Sequence, residues 1–314
     1  MLRPVSWLIA DIGGTNTRCA IAQAGGVVEN VETFRNREFP GLDRLLASYL
    51  GSLPPSQRPE EAVIAIAAPI RGDEIRMVNI NWAFSISALA RTLSLKRLIP
   101  LNDFAALAYA LPVLGPGDLR QVGGGKAVPG APKVVVGPGT GLGTAGLVNI
   151  AGRWQAITGE GGHVTMAPSN VREARIIALG RERFGHCSAE RLISGAGLAF
   201  LYGALNSGAT LAPDEVGARI AAGEAAALEA LDVFFQLLGT VASNLALTFA
   251  AFGGVYLGGG VTPRFPELFL ASGFRQRFED KGRYRPFLAD IPTWLVIADQ
   301  PALRGLAAYA EAQA

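Results

Sequence analysis

Three glycine-rich clusters carry the clearest chemical implication in this sequence. They are Gly13 with Gly14, residues 137–143 and residues 258–260, and each follows a short apolar run that predicts a strand. Because glycine has no Cβ, consecutive backbone N–H groups can converge on one anion. Thr15 and Thr140 add hydroxyl donors. The set suits the di- or triphosphate of a nucleotide; the alternative is three ordinary tight turns.

Two other phosphate-binding motifs do not fit. The chain contains no Gly-x-x-x-x-Gly-Lys-[Ser/Thr] sequence, so it is not a P-loop protein. Gly141, Gly143 and Gly146 match the dinucleotide pattern Gly-x-Gly-x-x-Gly. That pattern must open a helix, however, and residues 144–149 have the character of a strand. We therefore interpret the match as accidental.

Asp11 ends the first predicted strand and stands just before Gly13 and Gly14. A carboxylate beside a phosphate-binding loop would repel a nucleotide unless a cation lay between them. Mg²⁺, held directly or through a water molecule, would remove that repulsion. The alternative is an aspartate that stabilises the turn.

Asn102 and Asp103 form a second group, at the C-terminal end of a predicted strand over residues 97–101. Ligands of open α/β sheets gather at the C-terminal ends of strands. Apolar residues flank the pair on both sides, so the Asp103 carboxylate would be partly desolvated and a better base. Asn and Asp are also favoured helix N-caps, and from these residues alone the two interpretations are equally supported.

Glu160 and His163 bracket two glycines, so both side chains can face one ligand from a tight loop. A carboxylate that accepts and an imidazole that donates suit neighbouring sugar hydroxyls. A zinc site is disfavoured, because further ligands are missing and no helix is expected through Gly-Gly. His186 is interpreted as structural. Glu190 on its own predicts no more than a surface ion pair with Arg191.

The elements that must position these residues alternate between strands and helices, which predicts an α/β fold. Residues 115–132, rich in Gly and Pro, are expected to form a long surface connection. Predicted strands cover residues 7–10, 18–23, 27–34, 61–67, 97–101, 134–136, 144–149, 255–257 and 293–298. Predicted helices cover residues 42–50, 87–95, 104–109, 224–250, 263–272 and 301–312.

One internal similarity bears on the architecture. Residues 7–22 and residues 134–148 both read as a strand, a Gly/Thr loop and a second strand. Two copies of one unit in one chain predict a duplicated, two-lobe α/β protein. The alternative is coincidence between two glycine-rich loops.

Composition excludes several functional classes. The chain has 314 residues, half of them apolar and 17% charged, which predicts two folded domains and excludes wholesale disorder. With 28 Lys and Arg against 26 Asp and Glu, no basic patch predicts a nucleic-acid partner.

Cysteine content and apolar stretches bear on the compartment. Two cysteines, Cys19 and Cys187, cannot form a disulfide framework and are expected to be buried thiols. No signal peptide is recognised, and the charge-free residues 134–152 and 233–263 are not expected to give a 20-residue apolar helix. A cytoplasmic protein with no membrane partner is predicted.

Taken in order, the motifs resemble a known family over essentially the whole chain. Residues 8–16 (LIADIGGTN) resemble the phosphate 1 loop of the actin, Hsp70 and sugar-kinase superfamily. Similarity to the bacterial glucokinase family lies in residues 101–104 (LNDF), 139–143 (GTGLG), 159–163 (GEGGH), 188–195 (SAERLISG), 252–260 (FGGVYLGGG) and 271–283. Ala196, where that family often has proline, and the pair before Trp82 depart from its pattern. The related sugar kinases with a Cys-rich zinc motif are excluded by the cysteine count.

The resemblance implies phosphorylation of glucose by ATP at the 6-hydroxyl, giving glucose 6-phosphate as in glycolysis. It implies Asp103 as general base, with Asn102, Glu160, His163 and Glu190 holding the sugar together with Asp103. Mg²⁺ accompanies ATP, with Asp11 as its predicted ligand. The implied nucleotide-binding residues are Ala10, Asp11, Ile12, Gly13, Gly14, Thr15, Thr140, Gly141, Gly258, Gly259 and Gly260.

The same resemblance implies a two-lobe, actin-like ATPase (ribonuclease H-like) fold, with a small and a large α/β domain around a cleft. We expect residues 1–105 plus 299–314 to form the small domain and residues 106–298 the large one. A homodimer is implied as well. Two other functions stay open: a kinase for another hexose, such as mannose, fructose or glucosamine, and a non-catalytic sugar sensor.

Overall fold

The computed structural model describes residues 6–77 and 80–313. The protein has a mixed α/β fold. Its strands are, in chain order, β1 (Trp7–Ile12), β2 (Asn16–Ala22), β3 (Val28–Arg35), β4 (Glu61–Ile66), β5 (Glu74–Arg76), β6 (Ala83–Ser85), β7 (Arg97–Asn102), β8 (Leu119–Val122), β9 (Lys133–Pro138), β10 (Leu142–Ile150), β11 (Arg153–Thr158), β12 (Val255–Leu257) and β13 (Thr293–Val296). Its helices are α1 (Leu42–Ser52), α2 (Ile86–Thr92), α3 (Asp103–Ala110), α4 (Val171–Phe184), α5 (Ala189–Leu192), α6 (Gly195–Leu205), α7 (Pro213–Ala221), α8 (Ala225–Phe249), α9 (Pro266–Leu270), α10 (Phe274–Glu279), α11 (Arg285–Ala289) and α12 (Pro301–Glu311).

The chain divides into two compact units. The first unit comprises Met1–Gly115 with Ala298–Ala314, and the second comprises Pro116–Ile297. The domain boundary predicted between residues 105 and 106 would cut through α3, whereas the division between the units falls after that helix. The assignment of these units as domains stays a prediction.

The first unit is built on a five-stranded sheet in the order β3-β2-β1-β4-β7. The pairs β1–β2 and β2–β3 are antiparallel, and β1–β4 and β4–β7 are parallel. Pro100 has no N–H to donate, and it is tolerated because β7 is an edge strand.

Both faces of this sheet are covered. On one face Leu8 and Ile12 of β1 belong to a core cluster with residues of α1 and α2. On the other face Trp7 and Ile9 pack with α12 residues such as Leu306. A strand buried on both faces has a continuous apolar sequence instead of an alternating one, which explains the run at the start of this chain.

Helix α12 approaches α3 closely at Gly305. A Cβ added there would overlap the carbonyl oxygen of Ala106, so no larger residue fits without backbone movement. Because α3 begins at Asp103, this contact helps to fix the helix that carries the predicted base.

The second unit contains a six-stranded sheet in the order β11-β10-β9-β12-β13-β8. Its first five strands repeat the arrangement of the first sheet: three antiparallel strands, then two that run parallel to β9. The predicted repetition is therefore confirmed, since β1–β2 and β9–β10 are both antiparallel pairs joined by a Gly/Thr loop.

Helix α8 is the centre of the second unit's core and corrects one expectation. It is long and apolar enough to cross a membrane, contrary to the prediction that no single helix would be. Of its most apolar window, 67% is buried, and it contacts α6, α7, α10 and β9. These contacts are those of a core helix in a folded unit.

Two further expectations were wrong in detail. Residues 115–132 are not all surface connection, because β8 pairs antiparallel with β13 and ends the second sheet. Residues 263–272 do not form one helix. A short 3₁₀ turn, Thr262–Arg264, precedes α9, and Phe265 between them has the non-helical dihedral angles φ −127° and ψ 57°.

Candidate active site

The first glycine loop (residues 13–15) joins β1 to β2 and is held by Asn36. The loop turns tightly, since the Gly13 N–H donates to the Asn16 carbonyl at 3.0 Å. The Asn36 side chain, 1% exposed, donates to the Gly13 carbonyl and accepts from the Thr17 hydroxyl, both at 2.8 Å. Its backbone N–H donates to Thr15. Sequence reasoning missed Asn36, which lies 23 positions from Gly13.

The residues before this loop divide into buried strand positions and one polar side chain. Ala10 and Ile12 are fully buried in β1, so their side chains pack in the core. The Asp11 side chain is 22% exposed, and its Oδ2 lies 3.5 Å from Nη1 of Arg18. Burial raises the pKa of the Asp11 carboxyl although Arg18 acts in the opposite direction. The burial cost of this anion is therefore only partly offset by Arg18.

Asn102 and Asp103 lie where β7 passes into α3. Asn102 is the N-cap, and its side-chain Oδ1 accepts from the N–H groups of Phe104 at 2.9 Å and Ala105 at 3.3 Å. Asp103 is the first helical residue, and its Oδ1 also accepts from Phe104 at 3.0 Å. The capping interpretation thus applies to Asn102, whose amide nitrogen is the group still able to donate to a ligand.

Parallel pairing brings these two groups to one edge of the first sheet. Ile12 is in register with Ile66, and Ile66 is in register with Asn102. Strands in a sheet are about 4.8 Å apart, so Asn102 lies roughly 10 Å from the end of β1. Asp103 and the first glycine loop therefore face the same edge, the C-terminal edge that favours ligands.

In the second unit the other two glycine loops lie next to each other. The second glycine loop (residues 139–141) follows β9, and the third (residues 258–260) follows the parallel strand β12. The N–H groups of Gly260 and Val261 both donate to the Pro138 carbonyl at 3.0 Å. Gly259 has φ +78°, a conformation that favours glycine. Thr140, Gly259 and Gly260 are exposed, whereas Gly258 is buried.

Residues 161–163, where a tight loop without a helix was predicted, form a single 3₁₀ turn. The turn is tied to Glu160, whose carbonyl accepts from the His163 N–H at 3.0 Å. Both side chains are exposed. The turn packs closely on the start of β10, since a Cβ at Gly162 would overlap the Leu142 carbonyl oxygen.

Glu190, on α5, joins this group and is not paired with Arg191. Its Oε2 accepts from the Leu142 N–H at 2.9 Å, and its Oε1 lies 3.9 Å from Nδ1 of His163. Arg191 instead lies over the ring of Phe184, 4.6 Å from its centroid. The expected surface ion pair is therefore wrong.

Glu190 and Thr140 also line a cavity of about 890 Å³ between α4, α6 and the residues before α7. That volume lies within the usual range for small-molecule pockets. Its remaining lining combines apolar side chains with hydroxyl residues and the charged Glu182, Arg183 and Arg191.

The prediction of two buried thiols is confirmed, and His186 makes a hydrogen bond within the fold. The ring of His186 is hydrogen-bonded to the Thr165 hydroxyl at 2.8 Å, and Cys19 and Cys187 are free and buried. Within residues 6–77 and 80–313, no group of three or more His, Cys, Asp or Glu side chains is arranged to hold a metal ion.

A single carboxylate such as Asp11 fits Mg²⁺ all the same. This ion is commonly bound by one or two carboxylates and completes its shell with phosphate oxygens and water. The raised pKa of Asp11 points the same way, because a buried anion with an incomplete counter-charge is stabilised by a nearby cation.

Comparison with known proteins gives concordant matches. The family model described as Glucokinase matches residues 8–313. A glucokinase of Chromobacterium violaceum is 49% identical over 314 residues, covering 98% of this chain and 90% of that protein. The crystal structure of a glucokinase from an Antarctic psychrotroph has a TM-score of 0.89 at 34% identity and covers 98% of this chain and 99% of that one.

A more distant structure shares the fold. It is a ROK family glucokinase from Streptomyces griseus in complex with glucose and AMPPNP, with a TM-score of 0.65 at 17% identity. The match covers 98% of this chain and 100% of that one.

Proposed function

This chain belongs to the glucokinase family, and from that premise we propose that it transfers the γ-phosphoryl group of ATP to the 6-hydroxyl of glucose with Asp103 as general base. The observation that carries the proposal is the shared edge of the first sheet. There Asp103 and the first glycine loop lie two strands apart, roughly 10 Å, in parallel register. At that spacing the Asp103 carboxylate can contact the attacking hydroxyl while the glycine loop holds the phosphates of the donor.

In the proposed reaction the protein forms no covalent bond with the substrates. Phosphoryl transfer depends on positioning and on stabilisation of charge. A sugar hydroxyl is a weak nucleophile, and Asp103 would accept its proton as it attacks the γ-phosphorus. General-base assistance of this kind contributes typically about 10²- to 10⁴-fold.

We propose that the sugar hydroxyls are bound by Asn102, Asp103, Glu160, His163 and Glu190. Glu160 and Glu190 supply charged acceptors, and the Asn102 amide nitrogen, free of the cap, supplies a donor. His163 can donate or accept, depending on which ring nitrogen carries the proton.

We assign the phosphates of ATP to the three glycine loops with Thr15 and Thr140. Asp11 would hold Mg²⁺, directly or through water. When bound, that ion neutralises phosphate oxygens and so stabilises the transferring group.

The family also supports finer proposals. We propose that both units have the ribonuclease H-like arrangement, since each sheet places three antiparallel strands beside two parallel ones. We further propose a homodimer that works in the cytoplasm as an enzyme of glycolysis.

The proposal is tested by measuring ADP release and glucose 6-phosphate formation with ATP, Mg²⁺ and a panel of hexoses. We expect glucose to give the highest kcat/KM. A higher value for mannose, fructose or glucosamine would make the chain a kinase for that sugar. Sugar binding without ADP release would support the sensor function and overturn the proposal.

Asn36 provides a test of the first glycine loop. Replacing Asn36 by alanine removes the donor to Gly13 and leaves the buried Thr17 hydroxyl without its acceptor. Losing one hydrogen bond that shapes the loop is expected to raise the KM for ATP about tenfold, with the KM for glucose little changed.

The control for this variant is Thr17→Val, which removes the hydroxyl but keeps the Asn36–Gly13 bond. Both variants are expected to be less stable, but only Asn36→Ala should change the KM for ATP. Equal effects of the two on that KM would mean that Asn36 serves stability alone. Initial rates at varied ATP, with thermal melts, provide the measurement.

A further inference from the structure

The two carboxylate oxygens of Glu190 face two different parts of the second unit. Oε2 accepts from the Leu142 N–H, which directly follows the second glycine loop. Oε1 faces the His163 ring at 3.9 Å. The Glu190 side chain is 30% exposed, and its Oε2 is engaged with the backbone.

Gly141 has a specific reason to lack a side chain. A Cβ at this position would lie 2.5 Å from Oε2 of Glu190. The only other atom that it would approach within 4 Å, apart from its chain neighbours, is Cδ of the same glutamate, among the described residues. The backbone of Gly141 does not have a positive φ, so alanine is compatible with its conformation. The glycine therefore makes room for the Glu190 carboxylate.

We infer that Glu190, seated against Gly141, is a positioning residue that couples sugar binding to the geometry of the second glycine loop. The inference rests on the proposed function, in which Oε1 receives a sugar hydroxyl and the loop receives phosphate. A sugar that donates to Oε1 fixes the carboxylate. The fixed Oε2 then holds Leu142 and the loop in one position for the nucleotide.

Such a link must act in both directions. If glucose raises the affinity for a nucleotide, the nucleotide raises the affinity for glucose by the same factor. Charge-assisted hydrogen bonds are the stronger kind, so a shared carboxylate is well suited to transmit the effect.

Two substitutions separate the halves of the link. In Gly141→Ala the new methyl group displaces the flexible end of Glu190, so the bond to Leu142 is lost while the negative charge remains. In Glu190→Gln the amide oxygen can still accept from Leu142, but the group facing His163 becomes a donor without charge. The first variant removes the loop contact, and the second removes the sugar contact.

The experiment measures the Kd for glucose by calorimetry, with and without a non-hydrolysable ATP analogue and Mg²⁺. For the unmodified protein we expect the analogue to lower the Kd about fivefold or more. In Gly141→Ala this ratio should fall at least about threefold towards 1. In Glu190→Gln the Kd for glucose without the analogue should rise about tenfold, and the ratio should also fall towards 1, because the sugar no longer fixes the carboxylate.

The matched control is Gly124→Ala, which lies in the same unit with nothing within 4 Å of the added Cβ and should keep the unmodified ratio. A ratio of 1 in the unmodified protein, or an unchanged ratio in Gly141→Ala, would overturn the inference. Glucose phosphorylation by the unmodified protein tests the proposed function separately. If phosphorylation is present and the ratio is insensitive to Gly141→Ala, only the coupling role fails.

Discussion

Replacing Asp103 by asparagine is expected to lower kcat about 10²-fold or more while glucose still binds. The substitution preserves size, and an amide oxygen can still accept from the Phe104 N–H as the carboxylate does at 3.0 Å. It removes the capacity to take up a proton at neutral pH. Because general-base assistance is worth about 10²- to 10⁴-fold, the loss should appear in the chemical step.

Initial rates and calorimetric binding of glucose on the same preparation check this prediction. The matched control is Asp214→Asn, an exposed aspartate in the first turn of α7 that no proposal uses. The control should keep kcat within about twofold. A near-normal kcat in Asp103→Asn would exclude this carboxylate as the base, and a loss of glucose affinity alone would make it a sugar ligand only.

The sequence was most informative where apolar runs ended at glycine. The runs before Gly13, Gly137 and Gly258 predicted strands that the structure contains, because buried parallel strands have few alternative interpretations. The predicted repetition of a strand, a Gly/Thr loop and a strand is present as two antiparallel pairs.

Contacts distant in sequence could not be predicted from local patterns. The strand β8 has only four residues of mixed polarity, and its pairing with β13 joins positions more than 170 residues apart. Asn36 has no motif around it. It reaches the first glycine loop only because β3, which ends at Arg35, pairs with β2 in the folded sheet. The bond from Leu142 to Glu190 likewise spans 48 positions.

These same contacts between distant residues fix the conformation of the glycine loops. A glycine loop can present N–H groups in many conformations, and its sequence does not say which one is adopted. Asn36 fixes the first loop, and Glu190 with Gly141 fixes the second. The motifs therefore predict what chemistry is available, and buried polar contacts determine the geometry in which it is held.

The largest expected loss of stability concerns Glu173 and Arg277, an ion pair at 2.7 Å with side chains only 2% and 10% exposed. Glu173 also accepts from the Ser169 N–H at 2.7 Å and the Asn170 amide at 2.9 Å. Glu173→Ala would leave the Arg277 charge buried without its carboxylate. Removing one partner of a buried pair typically costs about 3–5 kcal/mol, so we expect the free energy of unfolding at pH 7 to fall by that amount in urea titrations.

The pH dependence provides a second readout of the same pair. Burial alone would raise the pKa of the Glu173 carboxyl, but the bonds from Arg277, Ser169 and Asn170 outweigh it and hold the pKa below its usual value. A carboxyl whose pKa is lower in the folded state adds stability above its unfolded pKa and loses it as the pH falls through the folded value. The stability of the unmodified protein should therefore decline in acid more steeply than that of Glu173→Gln.

The double variant Glu173→Leu with Arg277→Met should regain part of the stability lost in Glu173→Ala at pH 7, because a packed apolar pair leaves no buried charge. A loss as large as in Glu173→Ala would contradict the ion-pair explanation.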